Sequence, residues 1–361
     1  MSFENLFQPL TFARGPAMKN RFMLAPLTNK QSRPDGVLTE DEIRWLALRA
    51  KGGFGLVTTA AAHVQAVGQG FTGQLGVFGD QHLPGLSRMA DALRAHGAVS
   101  AVQLYHAGDR APPELVSAPV SPSDQPDTGA RGLSLDEVQQ LRDDFVAAAV
   151  RAETAGFDGV EIHGAHGYII TQFLSPESNR REDRYGGDAE NRARLLFEII
   201  DGVRAATGAN FQLGLRISPE RFGIRLAEAI AMAERLLRED QLDYLDLSLW
   251  DVFKEPAEEA FQGRTLMSCF TELPRGRTRI GAAGKVTTPD QAAAVLAAGC
   301  DYVSIGRAAI LHHDYPEQLR RSPRFAPIET PVAPAHLAAE GLTPGFIEYM
   351  RSFAGFVAEA A

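Results

Sequence analysis

Short apolar runs alternate with longer helical runs through almost all of this sequence, and this alternation restricts the fold more than any other feature. The runs typical of β-strands cover residues 21–25, 56–59, 100–105, 159–163, 212–217, 244–248, 279–282 and 302–305. The clearest amphipathic helical stretches between them cover residues 39–51, 81–96, 134–155, 190–206, 226–239 and 289–298. Strands that alternate with helices form parallel sheets, and eight such units favour a closed (β/α)₈ TIM barrel over an open, doubly wound sheet.

The ends of several predicted helices carry local signals that support these boundaries. Ser134 and Thr288 suit N-caps, and Pro289 suits the first helical position. Glycines follow four helices, where a left-handed residue often ends a helix: Gly97, Gly156, Gly208 and Gly299. The length of 361 residues fits one decorated barrel, so we expect residues 1–361 to form a single α/β domain with long loops at the carboxyl ends of the strands.

Composition and charge argue against several other classes of protein. No run approaches the ~20 apolar residues that a membrane-spanning helix needs, and the first residues do not resemble a signal peptide. Cys269 and Cys300 are too few for a disulfide framework or a four-cysteine metal site. The net charge of −9 argues against a nucleic-acid partner but allows a local basic pocket. We therefore expect a cytoplasmic enzyme that acts on small molecules without a membrane partner.

Polar and small residues gather where the predicted strands end, which is the face on which barrels of this class build their active sites. These residues are Pro26, Leu27, Thr28, Ala60, Gln103, His163, His166, Tyr168, Arg216, Ala283, Gly284, Gly306 and Arg307. Taken singly, each is more often an ordinary loop residue. Their concentration at one end of the proposed barrel is what favours a functional site.

The last two predicted strands end in a pattern suited to a phosphate group. Gly284 and Gly306 would let the backbone approach an anion closely, and Arg307 would add a forked, charged donor. Barrels of this class frequently bind phosphate in this place. The alternative is that both glycines serve only the turns and that Arg307 is a surface charge.

His163 and His166 stand three residues apart, with Tyr168 two residues further on, and three interpretations are open. The histidines could ligate a metal, although no carboxylate or cysteine stands at a matching spacing, or they could be structural. The interpretation we favour is that both donate hydrogen bonds to one substrate oxygen while Tyr168 acts as an acid. That arrangement suits chemistry in which negative charge builds on a carbonyl or nitro oxygen.

Other features are weaker indicators of function. Residues 68–73 match the dinucleotide fingerprint G-x-G-x-x-G, but no strand immediately precedes them, so we interpret them as a flexible barrel loop. The neighbouring residues 312 and 313, both histidines, are interpreted as a surface pair without a role. We expect the loop at residues 107–132 and the aromatic residues Trp250, Phe253 and Phe261 to shape the pocket.

A longer segment then resembles a known family. Residues 163–168, 172–176, 179–180, 185–187 and 190–192 are similar in sequence to the Old Yellow Enzyme family of NAD(P)H:flavin oxidoreductases. The resemblance extends from Lys19 to Arg307, which is almost the whole chain. It implies a (β/α)₈ barrel that holds FMN tightly but not covalently, with no iron–sulfur cluster because the cysteines are lacking.

The family pattern implies a role for each site residue. The residues implied to hold FMN are Pro26, Leu27, Thr28, Ala60, Gln103 and Arg216 along the flavin ring, and Ala283, Gly284, Gly306 and Arg307 at the phosphate. His163 and His166 would bind the activating oxygen of the substrate. Tyr168 would donate a proton to the α-carbon of the substrate. No residue is expected to bind a metal.

The resemblance implies an enzyme that takes electrons from NAD(P)H and reduces activated alkenes such as enones and nitroalkenes. One alternative is an NAD(P)H oxidase, or a quinone or xenobiotic reductase, on the same barrel. Two further alternatives are a different phosphate-binding barrel enzyme, such as an isomerase or aldolase, and a flavin-binding protein without catalytic activity. Neither of these last two explains why Gln103, His163, His166 and Tyr168 occur together.

Overall fold

The computed structural model describes residues 3–359, and its central strands close into one parallel barrel. We number the barrel strands β1 (Phe22–Leu24), β2 (Leu56–His63), β3 (Val99–Tyr105), β4 (Gly159–Gly164), β5 (Gln212–Ile217), β6 (Tyr244–Ser248), β7 (Arg279–Ala283) and β8 (Tyr302–Ile305). Each strand pairs in parallel with the next, and β8 pairs with β1 to close the barrel. The predicted fold is confirmed. β5, β6 and β8 have the predicted bounds, whereas β2 continues beyond residue 59 to His63.

Helices surround the barrel and also form the segment that follows it. The α-helices are Glu40–Lys51, Leu83–Arg94, Leu135–Thr154, Ile169–Leu174, Ala189–Ala206, Leu226–Glu239, Ser268–Thr271, Pro289–Ala297, Arg307–Leu311, Tyr315–Arg321, Pro334–Ala339 and Pro344–Arg351. Every predicted helix is present. The helices that were not predicted are short, so they show too few turns for a clear apolar period. Among residues 3–359, none of the helices combines the length and apolar character needed to cross a bilayer.

The capping side chains explain where the helices begin and end. The Ser134 hydroxyl accepts a hydrogen bond from the Glu137 amide while the Glu137 carboxylate accepts one from the Ser134 amide, and Thr288 and Gln291 form the same reciprocal pair. Three predicted C-terminal glycines are left-handed: Gly97, Gly156 and Gly299. The prediction for Gly208 was wrong. That helix ends at Ala206 before an extended Thr207, and the Gly208 amide donates to Glu153.

The interpretation of His312 and His313 as a surface pair was also wrong. His312 is buried, and its Nε2 accepts a hydrogen bond from the Ile328 amide at 2.9 Å. His313 is half-buried, and its Nδ1 lies 2.7 Å from Glu340 Oε2. The two histidines therefore tie the segment that follows the barrel to the barrel itself.

Two tyrosines lie in the barrel interior at the amino ends of their strands. The rings of Tyr244 and Tyr302 meet edge to face with centroids 6.0 Å apart, and both are buried. The strand register sets Tyr244 beside Gly214 and Tyr302 beside Gly281. A Cβ atom on either glycine would lie 2.1 Å from the ring of its partner. The glycines therefore provide the space that these rings occupy.

Replacement of Gly214 by Ala should destabilise the fold by roughly 1–3 kcal/mol, because the new methyl group overlaps a buried ring in a filled interior. The matched control is Gly345→Ala, where the new Cβ would meet no atom within 4 Å. We expect this control to leave the free energy of unfolding unchanged or to raise it by up to about 1 kcal/mol, because alanine favours a helix over glycine. Urea denaturation of both variants is the measurement, and equal midpoints would contradict the proposed packing.

Candidate active site

A polar cavity opens at the carboxyl ends of the barrel strands. Its outer chamber has a volume of about 430 Å³ and its inner chamber about 110 Å³, and the two share Pro26, Thr28, His166 and Arg216. Every predicted site residue except Ala60 lines one of these chambers. A wider hollow of about 700 Å³ lies along residues 323–330 and contains none of the predicted site residues.

Ala60 lines neither chamber, whereas its neighbour Ala61 lines the inner one, and the contact of Ala60 with a flavin stays a prediction. Ala60 is buried. The pairing of β2 with β3 is irregular between Thr58 and Ala61, and such an irregularity changes which side chains face the interior.

A buried charge cluster supports the inner chamber. Arg216 forms a salt bridge to Asp246, with 3.2 Å between a guanidinium nitrogen and Oδ2, and it donates to Ser248 Oγ at 3.4 Å. Beside it, Gln103 Nε2 donates to Glu161 Oε1 at 2.7 Å. Glu161 and Asp246 are 0% exposed. The cluster therefore fixes the direction of the two side chains, Gln103 and Arg216, that line the cavity.

The protonation of this cluster follows from its charges. Burial raises the pKa of Glu161, and the nearby Asp246 raises it further, while Arg216 opposes the rise. Burial likewise raises the pKa of Asp246, against the opposing effect of Arg216. One guanidinium balances one carboxylate, which favours the form in which the second carboxyl group keeps its proton.

His163 lies beside Arg216 on the adjacent strand, and hydrogen bonds link His163 to His166 and His166 to Ser248. His163 Nδ1 accepts from the Ala165 amide at 3.4 Å, and His163 Nε2 lies 3.1 Å from His166 Nδ1. His166 Nε2 lies 2.7 Å from Ser248 Oγ. All three contacts are satisfied when both neutral rings carry their proton on Nε2. In this arrangement the His163 proton points to His166, so a substrate oxygen would compete with these internal acceptors.

Both histidines are held in the neutral form. Burial lowers the pKa of His163 to about 3, with a smaller lowering from Arg216. Burial also lowers the pKa of His166 well below its ordinary value, and the neighbouring His163 and Arg216 act in the same direction. A neutral imidazole donates one hydrogen bond without adding charge to the cavity.

Tyr168 completes the inner chamber. Its ring lies 5.1 Å from the His163 ring and 4.4 Å from the Tyr105 ring, edge to face in both cases. Tyr105 is buried, whereas Tyr168 is half-buried and faces the cavity. The chamber thus brings two imidazole donors and one phenol donor together.

The outer chamber ends where β7 and β8 end. Gly284 has φ +154°, and a Cβ atom there would lie 2.8 Å from the Asp251 amide nitrogen, so the backbone needs glycine at this position. A Cβ on Gly306 would meet only Leu27, at 3.8 Å, so the space above Gly306 is open. The helix Arg307–Leu311 begins here, and its first amides lack acceptors within the helix.

Sequence reasoning missed the contribution of the last helix. Tyr349, Met350 and Phe353 line the outer chamber. Burial raises the pKa of Tyr349, and the adjacent Thr28 side chain opposes that rise. The helix has readable signals, since Thr343 caps its first turn with Phe346 as donor. However, nothing local indicates that the helix packs against the loop that follows β1.

The loop predictions were right in part. Trp250 lines the outer chamber, but Phe253 and Phe261 line neither chamber. Residues 68–73 do form a loop, and Phe71 from this loop lines the inner chamber. A Cβ on Gly70 would lie 2.3 Å from the Tyr105 hydroxyl, so at least one glycine of the apparent fingerprint serves packing.

Among residues 3–359, no group of three or more His, Cys, Asp or Glu side chains is arranged to hold a metal ion.

Comparisons with known proteins found similar sequences and similar folds. A family model described as the NADH:flavin oxidoreductase / NADH oxidase family matches residues 5–323. The chain is 37% identical over 340 residues to "Probable NADH-dependent flavin oxidoreductase YqiG" of Bacillus subtilis (strain 168), covering 91% of each chain. An Old Yellow Enzyme homologue from Zymomonas mobilis superposes with a TM-score of 0.81 at 28% identity, covering 96% of this chain and 99% of that one. A 2-naphthoyl-CoA reductase structure matches with a TM-score of 0.80 at 27% identity, over 89% of this chain and 52% of that chain, so this chain spans about half of its length.

The histidine pair should stay neutral well below pH 6. A histidine with a lowered pKa gains its proton only as the pH falls through that lowered value, which is about 3 for His163. Ring ¹⁵N chemical shifts, assigned with single His163→Gln and His166→Gln variants, should therefore show neutral imidazoles from pH 8 to pH 5. Free imidazole is the reference, and titration of either ring near pH 6.5, the ordinary value, would contradict this electrostatic description.

Proposed function

The chain belongs to the NADH:flavin oxidoreductase / NADH oxidase family, and we propose that it uses FMN to reduce activated alkenes with electrons from NAD(P)H. It is an NAD(P)H-dependent flavin oxidoreductase of the Old Yellow Enzyme type. The finer proposal is that residues 1–361 form one FMN-binding domain and that the electron acceptors are enones and nitroalkenes. The observation that carries it is the placement of His163, His166 and Tyr168 beside Arg216 in one cavity.

The donor set of the cavity fits a flavin mononucleotide. At the inner end, Arg216 Nε is buried and makes no hydrogen bond within the described residues, so it is available to an acceptor at the cavity wall. Gln103 is oriented by Glu161 through its amide nitrogen, which leaves its carbonyl oxygen to accept. At the outer end, the open space above Gly306 and the guanidinium of Arg307 suit one phosphate group.

Separate groups of residues would contact the ring and the phosphate of the flavin. Pro26, Leu27, Thr28, Ala60 and the adjacent Ala61 would line the flavin ring, and Ala283, Gly284, Gly306 and Arg307 would hold its phosphate. When bound, the flavin supplies the hydride chemistry between the nicotinamide and the alkene.

The histidines and the tyrosine would act on the substrate. The N–H groups of His163 and His166 would bind the carbonyl or nitro oxygen, where negative charge develops as the alkene is reduced. Their neutral state lets them donate without fixing a permanent charge on the substrate oxygen. Tyr168 would donate its phenolic proton to the α-carbon, since it lies beside both rings and faces the same chamber.

Replacement of Arg307 by Ala should weaken FMN retention, because a charge-assisted contact to the phosphate would be lost. The purified wild-type protein should be yellow, and acid should release FMN and not FAD. The control is Arg321→Ala, an exposed arginine that lines neither chamber of the cavity. Dialysis against buffer, followed by flavin absorbance, is the measurement. Equal retention in both variants would remove Arg307 from the phosphate site.

Replacement of Tyr168 by Phe should separate the two half-reactions. Reduction of the flavin by NAD(P)H needs no proton from Tyr168, so its rate should stay near that of the wild type. Reoxidation by an enone should slow by roughly 10²–10⁴, which is the usual effect of losing a positioned acid. Stopped-flow absorbance measures each step.

The control for this variant is Tyr315→Phe. The Tyr315 hydroxyl is buried and makes no hydrogen bond within the described residues, so both half-reactions should be unchanged. Equal losses in the two half-reactions of Tyr168→Phe would indicate a structural role for Tyr168. Unchanged rates would indicate that another group protonates the carbon.

A further inference from the structure

Guanidinium groups and aromatic rings alternate in a series that begins at Tyr168 in the inner chamber and ends at Trp250 in the outer chamber. The Arg110 guanidinium lies 5.3 Å from the centroid of the Tyr168 ring and 5.9 Å from that of Phe222. The Arg221 guanidinium lies 5.5 Å from the Phe222 ring and 5.1 Å from the Trp250 ring. We call Arg110, Arg221, Phe222 and Trp250 the arginine rim. It forms a continuous series of cation–π contacts that leads outward from Tyr168.

The backbone of the rim is held in uncommon conformations. Phe222 has φ +62° and Trp250 has φ +65°, in the left-handed region that bulky residues rarely adopt. Gly167 lies beside Phe222 and Arg110, and a Cβ there would come within 2.9 Å of the Phe222 ring and 3.0 Å of the Arg110 guanidinium. Strained backbone persists where the surrounding structure imposes it, and it is concentrated at ligand sites. The rim is therefore a built feature and not a chance cluster of surface residues.

The two rim arginines lack acidic partners. No salt bridge to Arg110 or Arg221 occurs within residues 3–359, and Arg110 donates instead to the His166 carbonyl oxygen at 2.9 Å. The nearby acids have other hydrogen-bond partners, since Glu220 pairs with Lys254, Glu258 accepts from the Leu226 amide, and Asp109 accepts from Gln172 at 2.7 Å. Burial raises the pKa of Asp109, and the charge of Arg110 opposes that rise. Glu177 also lines the groove beside Arg221.

The charges of the rim act at the substrate-binding end of the cavity. Burial and His163 lower the pKa of His166 most, and Arg216, Arg110 and Arg221 lower it further, so the positive charge of the rim reaches His166. The protein as a whole carries a net charge of −9. Two arginines without a salt bridge beside a cavity of an acidic protein favour a site for an anionic ligand.

We propose that the arginine rim binds the anionic group, a carboxylate or a phosphate, of the molecule whose reactive end lies at His163 and His166. This inference rests on the proposed function, because it takes the histidine pair as the place of reaction. Cation–π contacts hold each guanidinium in position before binding, so less side-chain entropy is lost when an anion arrives. The exposed faces of Phe222 and Trp250 would cover the apolar part of the same molecule.

Two sources of the anion share this chemistry. One is an electron acceptor that carries a carboxylate, and the other is the reduced dinucleotide with its phosphates. The first arm of the test compares 4-hydroxyphenylacetate with its neutral methyl ester by calorimetric titration of the holoenzyme. The variant Arg221→Gln should weaken binding of the acid about threefold to tenfold, as expected for a partly exposed charged contact. Binding of the ester should change by less than about twofold. Arg110→Gln should act in the same direction.

The second arm compares flavin reduction by NADH with reduction by 1-benzyl-1,4-dihydronicotinamide, which has no phosphate. If the rim holds the dinucleotide, Arg221→Gln should raise the KM for NADH and leave that for the benzyl compound unchanged. The control in both arms is Arg225→Gln, which removes a charge from the same loop but at a residue that is already paired with Glu228. Either selective loss supports an anion site and identifies its source.

The two titrations distinguish a rim that does not bind anions from a histidine pair that does not bind the substrate oxygen. If the ester binds the wild type but Arg221→Gln changes neither the ratio of acid to ester affinity nor the KM for NADH, the rim proposal is overturned and the proposed function stands. If neither the ester nor the acid binds the wild type, the histidine pair is not a site for phenolic oxygens, and both proposals fail.

Discussion

The register of the parallel strands is the constraint on which the site depends. Gln103 pairs with Glu161 between β3 and β4, His163 pairs with Arg216 between β4 and β5, and Arg216 pairs with Asp246 between β5 and β6. A shift of one residue would turn each of these side chains to the other face of its strand. The polar cluster, the cavity wall and the histidine pair therefore all follow from one alignment of backbone hydrogen bonds.

Apolar packing at the amino ends of the strands fixes the strand register. Tyr244 and Tyr302 fit only where Gly214 and Gly281 leave space, so apolar packing selects the register on which the polar residues above depend. The charged layer itself contributes less to stability, because the desolvation of a buried ion pair can offset its Coulomb attraction. The Arg216–Asp246 pair is better understood as a device that presents a fixed guanidinium to the cavity. Apolar packing at the amino ends of the strands and chemistry at their carboxyl ends are typical of this class of barrel.

Most of the fold and site could be predicted from the sequence because their signals are local. Apolar periodicity located the strands, and Gly306-Arg307 and His163 to Tyr168 stand directly at strand ends. What was missed depends on contacts between distant parts of the chain. The pairing irregularity beside Ala61, which lines the inner chamber, has no local signature. The approach of Tyr349 to Thr28 and the stacking of Arg221 on Trp250 likewise depend on how separate loops pack.

We propose that one cavity accepts electrons from NAD(P)H and passes them to an alkene that the histidines and Tyr168 activate. The most direct measurement uses NAD(P)H deuterated at both C4 positions, with a saturating enone in ordinary water, and locates the label in the product by NMR. We expect deuterium at the β-carbon and solvent hydrogen at the α-carbon, with the reverse pattern when unlabelled NAD(P)H is used in D₂O. A reduced product with no deuterium at the β-carbon, or with the label at the α-carbon, would contradict the proposal.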